Sequence, residues 1–179
     1  MLALALAITG CAQLGLPGSA LSPGSALSTP IAPSEVEWAR KAGANTVAGV
    51  ATTKASGPAG ATTTHTCAGQ SANLIPDTAY ARARMTAIFG NDTRGTRAAS
   101  QGPVKFGQDD PLYVSTLRTT RCDASGSFAF PRVPDGVWYV TTSVKWDGPT
   151  QVGGGQTEGG SMMRRLDVRG GRLVKVTLP

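Results

Sequence analysis

Apolar residues recur at every second position along much of this chain, the period of a strand with one face buried. Val47, Gly49 and Ala51 share a face over Thr46 to Thr52, a first strand. The Gly/Ala/Thr stretch from Ser56 to Thr66 reads as a ragged loop or weak strand, and Ser71 to Ile75 as a second strand that Pro76 ends. Leu112, Val114, Thr116, Thr120 and Cys122 share one parity in a strand over Leu112 to Cys122. Beyond the turn Asp123-Ala124-Ser125-Gly126, Phe128 and Phe130 alternate inward, and beyond Pro134-Asp135-Gly136 a long strand lines up Trp138, Val140, Thr142, Val144 and Trp146. Two closing strands, Met163 to Val168 and Arg172 to Leu178, meet at Gly170-Gly171.

The period changes in the middle of the chain. Ala81, Met85, Ile88 and Phe89 recur at helical spacing between a Thr78 cap and a stop at Gly90, so an amphipathic helix is expected there, with Arg82 pointing away. Ser34, three residues before Glu37, predicts a capping box for a short lead-in helix within residues 34–44. Asn91 to Pro111 reads as a polar loop with a short strand at Val104 to Phe106, and Asp147 to Gly160 as a glycine-rich loop. The expected fold is mainly β, an antiparallel sandwich of about seven strands with one inserted helix.

The N-terminal residues follow neither period. Leu2 to Ile8 form an apolar run too short to span a bilayer, and Ile8-Thr9-Gly10-Cys11 resembles the lipobox of bacterial lipoproteins. The resemblance implies a signal peptide over residues 1–10, a diacylglyceryl group on the Cys11 sulfur and acyl chains such as palmitate. Ala12, which is not Asp, implies sorting to the outer membrane, with the protein on its periplasmic face. The competing reading is an apolar helix with an ordinary thiol, disfavoured because the run meets Pro17-Gly18-Ser19. Residues 11–33 contain PGSALS twice in tandem and no charge, and are expected to be a semi-extended tether. With Cys11 assigned to lipid, Cys67 and Cys122 remain as an even pair in an exported chain and are expected to form a disulfide, the alternative being two buried thiols.

The run Cys122-Asp123-Ala124-Ser125-Gly126-Ser127-Phe128-Ala129-Phe130, followed by Val133-Pro134-Asp135-Gly136-Val137-Trp138-Tyr139-Val140, resembles the carboxypeptidase regulatory-like domain. That resemblance implies a prealbumin-like (transthyretin-like, Ig-like) sandwich over residues 45–179, with Phe128 and Phe130 plugging the core and Trp138 at the inward aromatic position. Cys122 and the helix over Thr78 to Phe89 depart from the family pattern. The fold carries no activity with it, and the resembled domain is the accessory part of such enzymes.

Composition narrows the chemistry. A chain of 179 residues suits one domain, and its 17 basic against 11 acidic side chains give a net charge of +6. His65 is the one histidine, which excludes a multi-histidine metal site, and no cofactor motif occurs. His65 beside Cys67 reads as an incidental surface residue, Asp109-Asp110 as a turn start, and no G-x-S-x-G elbow marks a nucleophile. Arg164, Arg165, Arg169 and Arg172 gather near the last hairpin, where they suit either a solvated face or contact with an anionic surface. Trp146, beside the glycine-rich loop, is a candidate sugar platform. The functional expectation is a non-enzymatic, lipid-anchored module of the cell envelope. Its partners would be the membrane, reached through the lipid, and an envelope protein or glycan, but not nucleic acid. The alternative is a dedicated binder of envelope glycan or anionic lipid.

Intact-mass measurement of the protein from native membranes should show an N-terminal Cys11 carrying a diacylglyceryl or triacyl adduct. An unmodified chain released by high salt would reject the anchor.

Overall fold

The computed structural model describes residues 23–57, 60–148 and 156–178. Cys11, the signal-peptide and first-repeat residues and Gly153-Gly154-Gly155 lie outside the described residues. In chain order the elements are helices α1 (Pro23–Ser28) and α2 (Pro33–Val36), a 3-10 turn (Glu37–Arg40), and strands β1 (Asn45–Ser56), β2 (Thr62–Thr66) and β3 (Ser71–Pro76). Helix α3 (Ala79–Phe89), strand β4 (Arg94–Ala98), helix α4 (Pro111–Thr116) and strand β5 (Arg118–Arg121) follow. Strands β6 (Ser127–Val133), β7 (Gly136–Asp147), β8 (Thr157–Val168) and β9 (Leu173–Leu178) complete the fold.

The expected β-sandwich is present, with nine strands among the described residues. In one sheet β1 pairs antiparallel with β6 over its first half and with β2 over its second, and β9 runs parallel to β1. The other sheet has the order β4-β8-β7-β3-β5, antiparallel throughout. Between the sheets lie Val47, Leu74, Phe128, Phe130, Trp138, Val140, Val144, Val168, Val176 and Leu178. Trp138 is fully buried, as expected of the inward aromatic; it meets Trp38 edge-on at 5.0 Å and donates to Pro134 O at 3.3 Å. Gly136, with φ 154°, sits where a Cβ would come within 2.2 Å of the Trp38 ring. Asn45, fully buried, donates to Val133 O and Asp135 Oδ1 and accepts from the Arg172 N–H at 3.0 Å, fixing the start of β1 to the end of β6 and to the residue ahead of β9.

A second core lies on the far side of the five-stranded sheet. Ile75, Tyr139 and Met163 point outward from β3, β7 and β8 and are covered by Tyr80, Ala81 and Met85 of α3 together with Ile31, Val36 and Tyr113. The expected helix is there, capped by Thr78 Oγ1, which accepts from the Ala81 N–H at 3.0 Å, and ended by Gly90 at φ 70°.

Several expectations need correction. The tether does not extend to residue 33, because the second PGSALS repeat forms α1. Ala26 and Ile31 are buried and Leu27 packs with the outer core, so an uncharged segment with three apolar residues found a surface to cover. The lead-in helix is capped at Ala32, whose N–H donates to Glu35 Oε1 at 3.0 Å, and not at Ser34. Leu112 to Cys122 is not one strand: Asp110 Oδ1 accepts from the Leu112 and Tyr113 N–H groups and Pro111 starts a helical turn, leaving only Arg118–Arg121 as strand. Val104 to Phe106 is not a strand, and the strand in that polar stretch is β4, whose sequence RGTRA has no apolar alternation because it is an exposed edge. β8 begins at Thr157, inside the supposed loop, where Gly159 and Gly160 allow close strand approach: a Cβ would lie 2.1 Å from Val144 O at the first and 2.2 Å from Arg97 O at the second. Among the described residues the inserted helix α3 is joined by a second, α4, while α1 and α2 precede the first strand.

Cys67 and Cys122 are bonded, with Cα atoms 5.7 Å apart and a sequence separation of 55. Backbone hydrogen bonds from Gly69 to Cys122 O and from Cys122 to Gln70 O seat the bond between the approach to β3 and the end of β5. Replacing Cys67 by Ala should lower unfolding free energy by about 2–4 kcal/mol under oxidising conditions and by much less in reductant. Equal losses in denaturant titrations under both conditions would show that the cross-link itself contributes nothing.

Candidate functional site

Helix α3 covers only part of the outer face of the five-stranded sheet. Beside it the same face shows Ser71 and Asn73 on β3, Thr141 and Ser143 on β7, and Ser161 on β8, the outward parity of each strand. These polar side chains floor a cavity of about 260 Å³ walled by Met85, Ile88, Phe89 and Tyr113. A second cavity, of about 530 Å³, shares Ile88 and Ser161 with the first and continues between β7, β8 and the segment after β4. The two make one trough.

The floor is ordered by its own hydrogen bonds. Ser143 and Ser161, cross-strand partners, place their hydroxyl oxygens 3.2 Å apart. The Thr119 hydroxyl donates to Asn73 Oδ1 at 3.0 Å, which fixes the carboxamide and turns its two Nδ2 hydrogens away from that bond. A rigid sheet bearing hydroxyls and an amide beside an apolar wall suits a polyhydroxylated ligand, since sugars offer hydroxyls along their edge and C–H groups across their faces.

The wall is braced from behind. The Arg84 guanidinium lies 3.9 Å from the Phe106 ring centroid and 4.9 Å from that of Tyr113, and is paired with Asp109. Burial pushes the Tyr113 phenol above its ordinary value, with Arg84 opposing. Asp110 holds α4 and also accepts from the Ile31 N–H at 3.0 Å. Both members of Asp109-Asp110 therefore have structural work, Asp110 as a helix cap where a turn start was expected and Asp109 in an ion pair. At the other end of α3, Asp77, with its side chain 5 % exposed, accepts from Arg82 Nη1 at 2.8 Å and from Arg165 Nε at 3.0 Å. The hydrogen bond to Asp77 raises the Arg165 guanidinium above its usual value against the opposing effect of burial.

Neither family models nor curated proteins match this chain. Its fold is that of a solved structure. A Pseudomonas aeruginosa protein, described as a "putative carbohydrate binding protein", superposes with a TM-score of 0.63 at 24% identity, covering 83% of this chain and 96% of that one.

The residues singled out from sequence are dispersed. Trp146 stacks on His65, with centroids 4.0 Å apart and planes 7° from parallel, and donates to Glu158 Oε2 at 2.9 Å. One ring face and the indole donor are thus already engaged, although the ring edges a separate groove of about 380 Å³ with Thr53, Thr96 and Met162. Arg165 is committed to Asp77, Arg169 pairs with Asp167 at 2.7 Å, Arg172 Nε donates to Arg169 O, and Arg164 stands opposite Arg94 on β4. The four do not converge on one site. Among the described residues no three His, Cys, Asp or Glu side chains gather as metal ligands. The trough residues were missed because Ser, Thr and Asn at outward strand positions look like any solvated face. The repeated hydroxyls of Thr141, Ser143 and Ser161 were the available signal.

Asp77→Asn should lower stability by about 1–3 kcal/mol, the partly exposed arginines recovering some hydration. Denaturant unfolding measures it, and an unchanged midpoint would mean that α3 is held without this pair.

Proposed function

We propose that this protein is a non-catalytic glycan-binding module of the cell envelope, anchored through lipid on Cys11 and built on a carboxypeptidase regulatory-like sandwich. The observation that carries the reading is the trough, in which Asn73, Ser143 and Ser161 on a rigid sheet face the apolar wall of Ile88 and Phe89. The carbohydrate-binding description of the Pseudomonas protein agrees with it. Such a site selects by hydrogen bonding and stacking, so a saccharide of a few units with micromolar or weaker affinity is the natural ligand. The anchor would put the trough among envelope polysaccharides without the domain having to hold a membrane itself.

A protein partner is the second reading. It is supported by the uncovered outer face of the first sheet, where Val50 is 38% and Leu173 55% exposed.

Calorimetry of the full chain in a non-glycosidic detergent, against a panel of envelope oligosaccharides, tests the first reading. Asn73→Ala and Phe89→Ala should each weaken binding by about five- to thirty-fold, the equivalent of about 1–2 kcal/mol. Trp146→Ala should leave affinity unchanged, because that ring is engaged with His65 and Glu158. The trough is rejected if no saccharide binds, or if Trp146→Ala abolishes binding that Asn73→Ala leaves intact.

A further inference from the structure

The larger half of the trough differs from the smaller in charge. Arg84, Arg97 and Lys145 line it and, among the described residues, no carboxylate does. The three cations are held differently. Arg97 donates through Nε to Gly102 O at 3.1 Å and through Nη2 to Gln101 O at 3.1 Å, so its charge is fixed in place by neutral carbonyls and is not cancelled by an acid. Lys145 is exposed on β7, and its cross-strand partner on β8 is Gly159, which has no side chain to offer it. Glu158, the acid next in sequence, is occupied by the Trp146 indole. Arg84 is charge-paired with Asp109 through Nη1, but its Nε is buried and has no acceptor among the described residues. Native proteins rarely leave such a donor unmatched.

Fixed charge on Arg97, a reaching ammonium on Lys145 and an unanswered donor on Arg84 surround one space, with Ser161 and Thr157 supplying hydroxyls and Phe106 an aromatic wall. We propose that this end of the trough is an anion subsite and that the ligand is an acidic saccharide, a sugar ring bearing a carboxylate. The inference rests on the glycan-binding reading and narrows it to one chemical class. The carboxylate takes the Lys145 ammonium, Arg84 and Arg97 contribute charge from the cavity wall, and the rest of the saccharide runs over Ser161 toward Asn73. With no acid among the described residues that line this space, and only Arg84 of the three cations charge-paired, the site discriminates by charge more strongly than an open basic face.

An oligouronate and its methyl ester have nearly the same shape and differ in charge, so they isolate the subsite. With the full chain in non-glycosidic detergent, calorimetry at low and physiological salt should show the acid binding at least tenfold tighter than the ester, the gap narrowing as salt rises. Lys145→Gln should bring acid and ester together, whereas Arg169→Gln, the same loss of charge in the connection between β8 and β9, should preserve the gap. Equal affinities for acid and ester in the unmodified protein, or a gap that survives Lys145→Gln, would overturn the anion subsite while leaving glycan binding standing. Failure of both ligands and of every neutral saccharide would overturn the glycan reading and this inference with it.

Discussion

The five-stranded sheet has to be dry on both faces at its centre, and most of the architecture answers that demand. In β3, β7 and β8 successive residues are both buried, one on each side: Leu74 and Ile75, Trp138 and Tyr139, Met162 and Met163. The inner member of each pair meets the second sheet. The outer member needs a cover, and α3 supplies it, with α1, the segment after it and α4 closing the margins through Leu27, Ile31, Leu112 and Tyr113. Where the outer members change to Asn73, Thr141 and Ser161, the cover stops and the trough opens. The boundary between apolar and polar outward positions thus sets both where the helix sits and where a ligand can enter.

Much of this was readable before any coordinates. Alternation located β1, β3, β6, β7 and β9 because those strands face a core on at least one side, and helical spacing with a Thr78 cap and Gly90 stop located α3. Local chemistry competing with period explains the failures. In Leu112 to Cys122 the parity of Leu112, Val114 and Thr116 is strand-like, yet Asp110 and Pro111 commit Leu112 to Thr116 to a helix. β4 has nothing to bury, and the glycines of β8 look like loop until the close approach of Arg97 and Val144 is known.

The site was less legible than the fold. Aromatic and basic residues attract attention in a sequence, and here Trp146 and the Arg164 to Arg172 group are engaged by neighbours that lie far away in sequence: His65 for the tryptophan and Asp77 for Arg165. The trough is assembled from residues of four strands and two helices. Its polar members are individually ordinary, and its cations Arg84, Arg97 and Lys145 come from separate segments that no local motif joins.

Parallel pairing between β1 and β9 has a kinetic meaning. The Asn45 side chain joins the start of β1 to Arg172 across 127 residues, and Val47 to Ala51 find Val174 to Leu178 alongside. Loop closure over such a span is slow relative to hairpin formation, so the antiparallel ladder of β7 and β8 can assemble early while β1 keeps an open edge. Until β9 arrives, that edge is an unpaired template for other chains, and the apolar faces of Val176 and Leu178 are exposed with it. The protein is therefore most vulnerable to aggregation in the interval before its C-terminal strand docks, and anything that shields that edge during maturation would act as its chaperone.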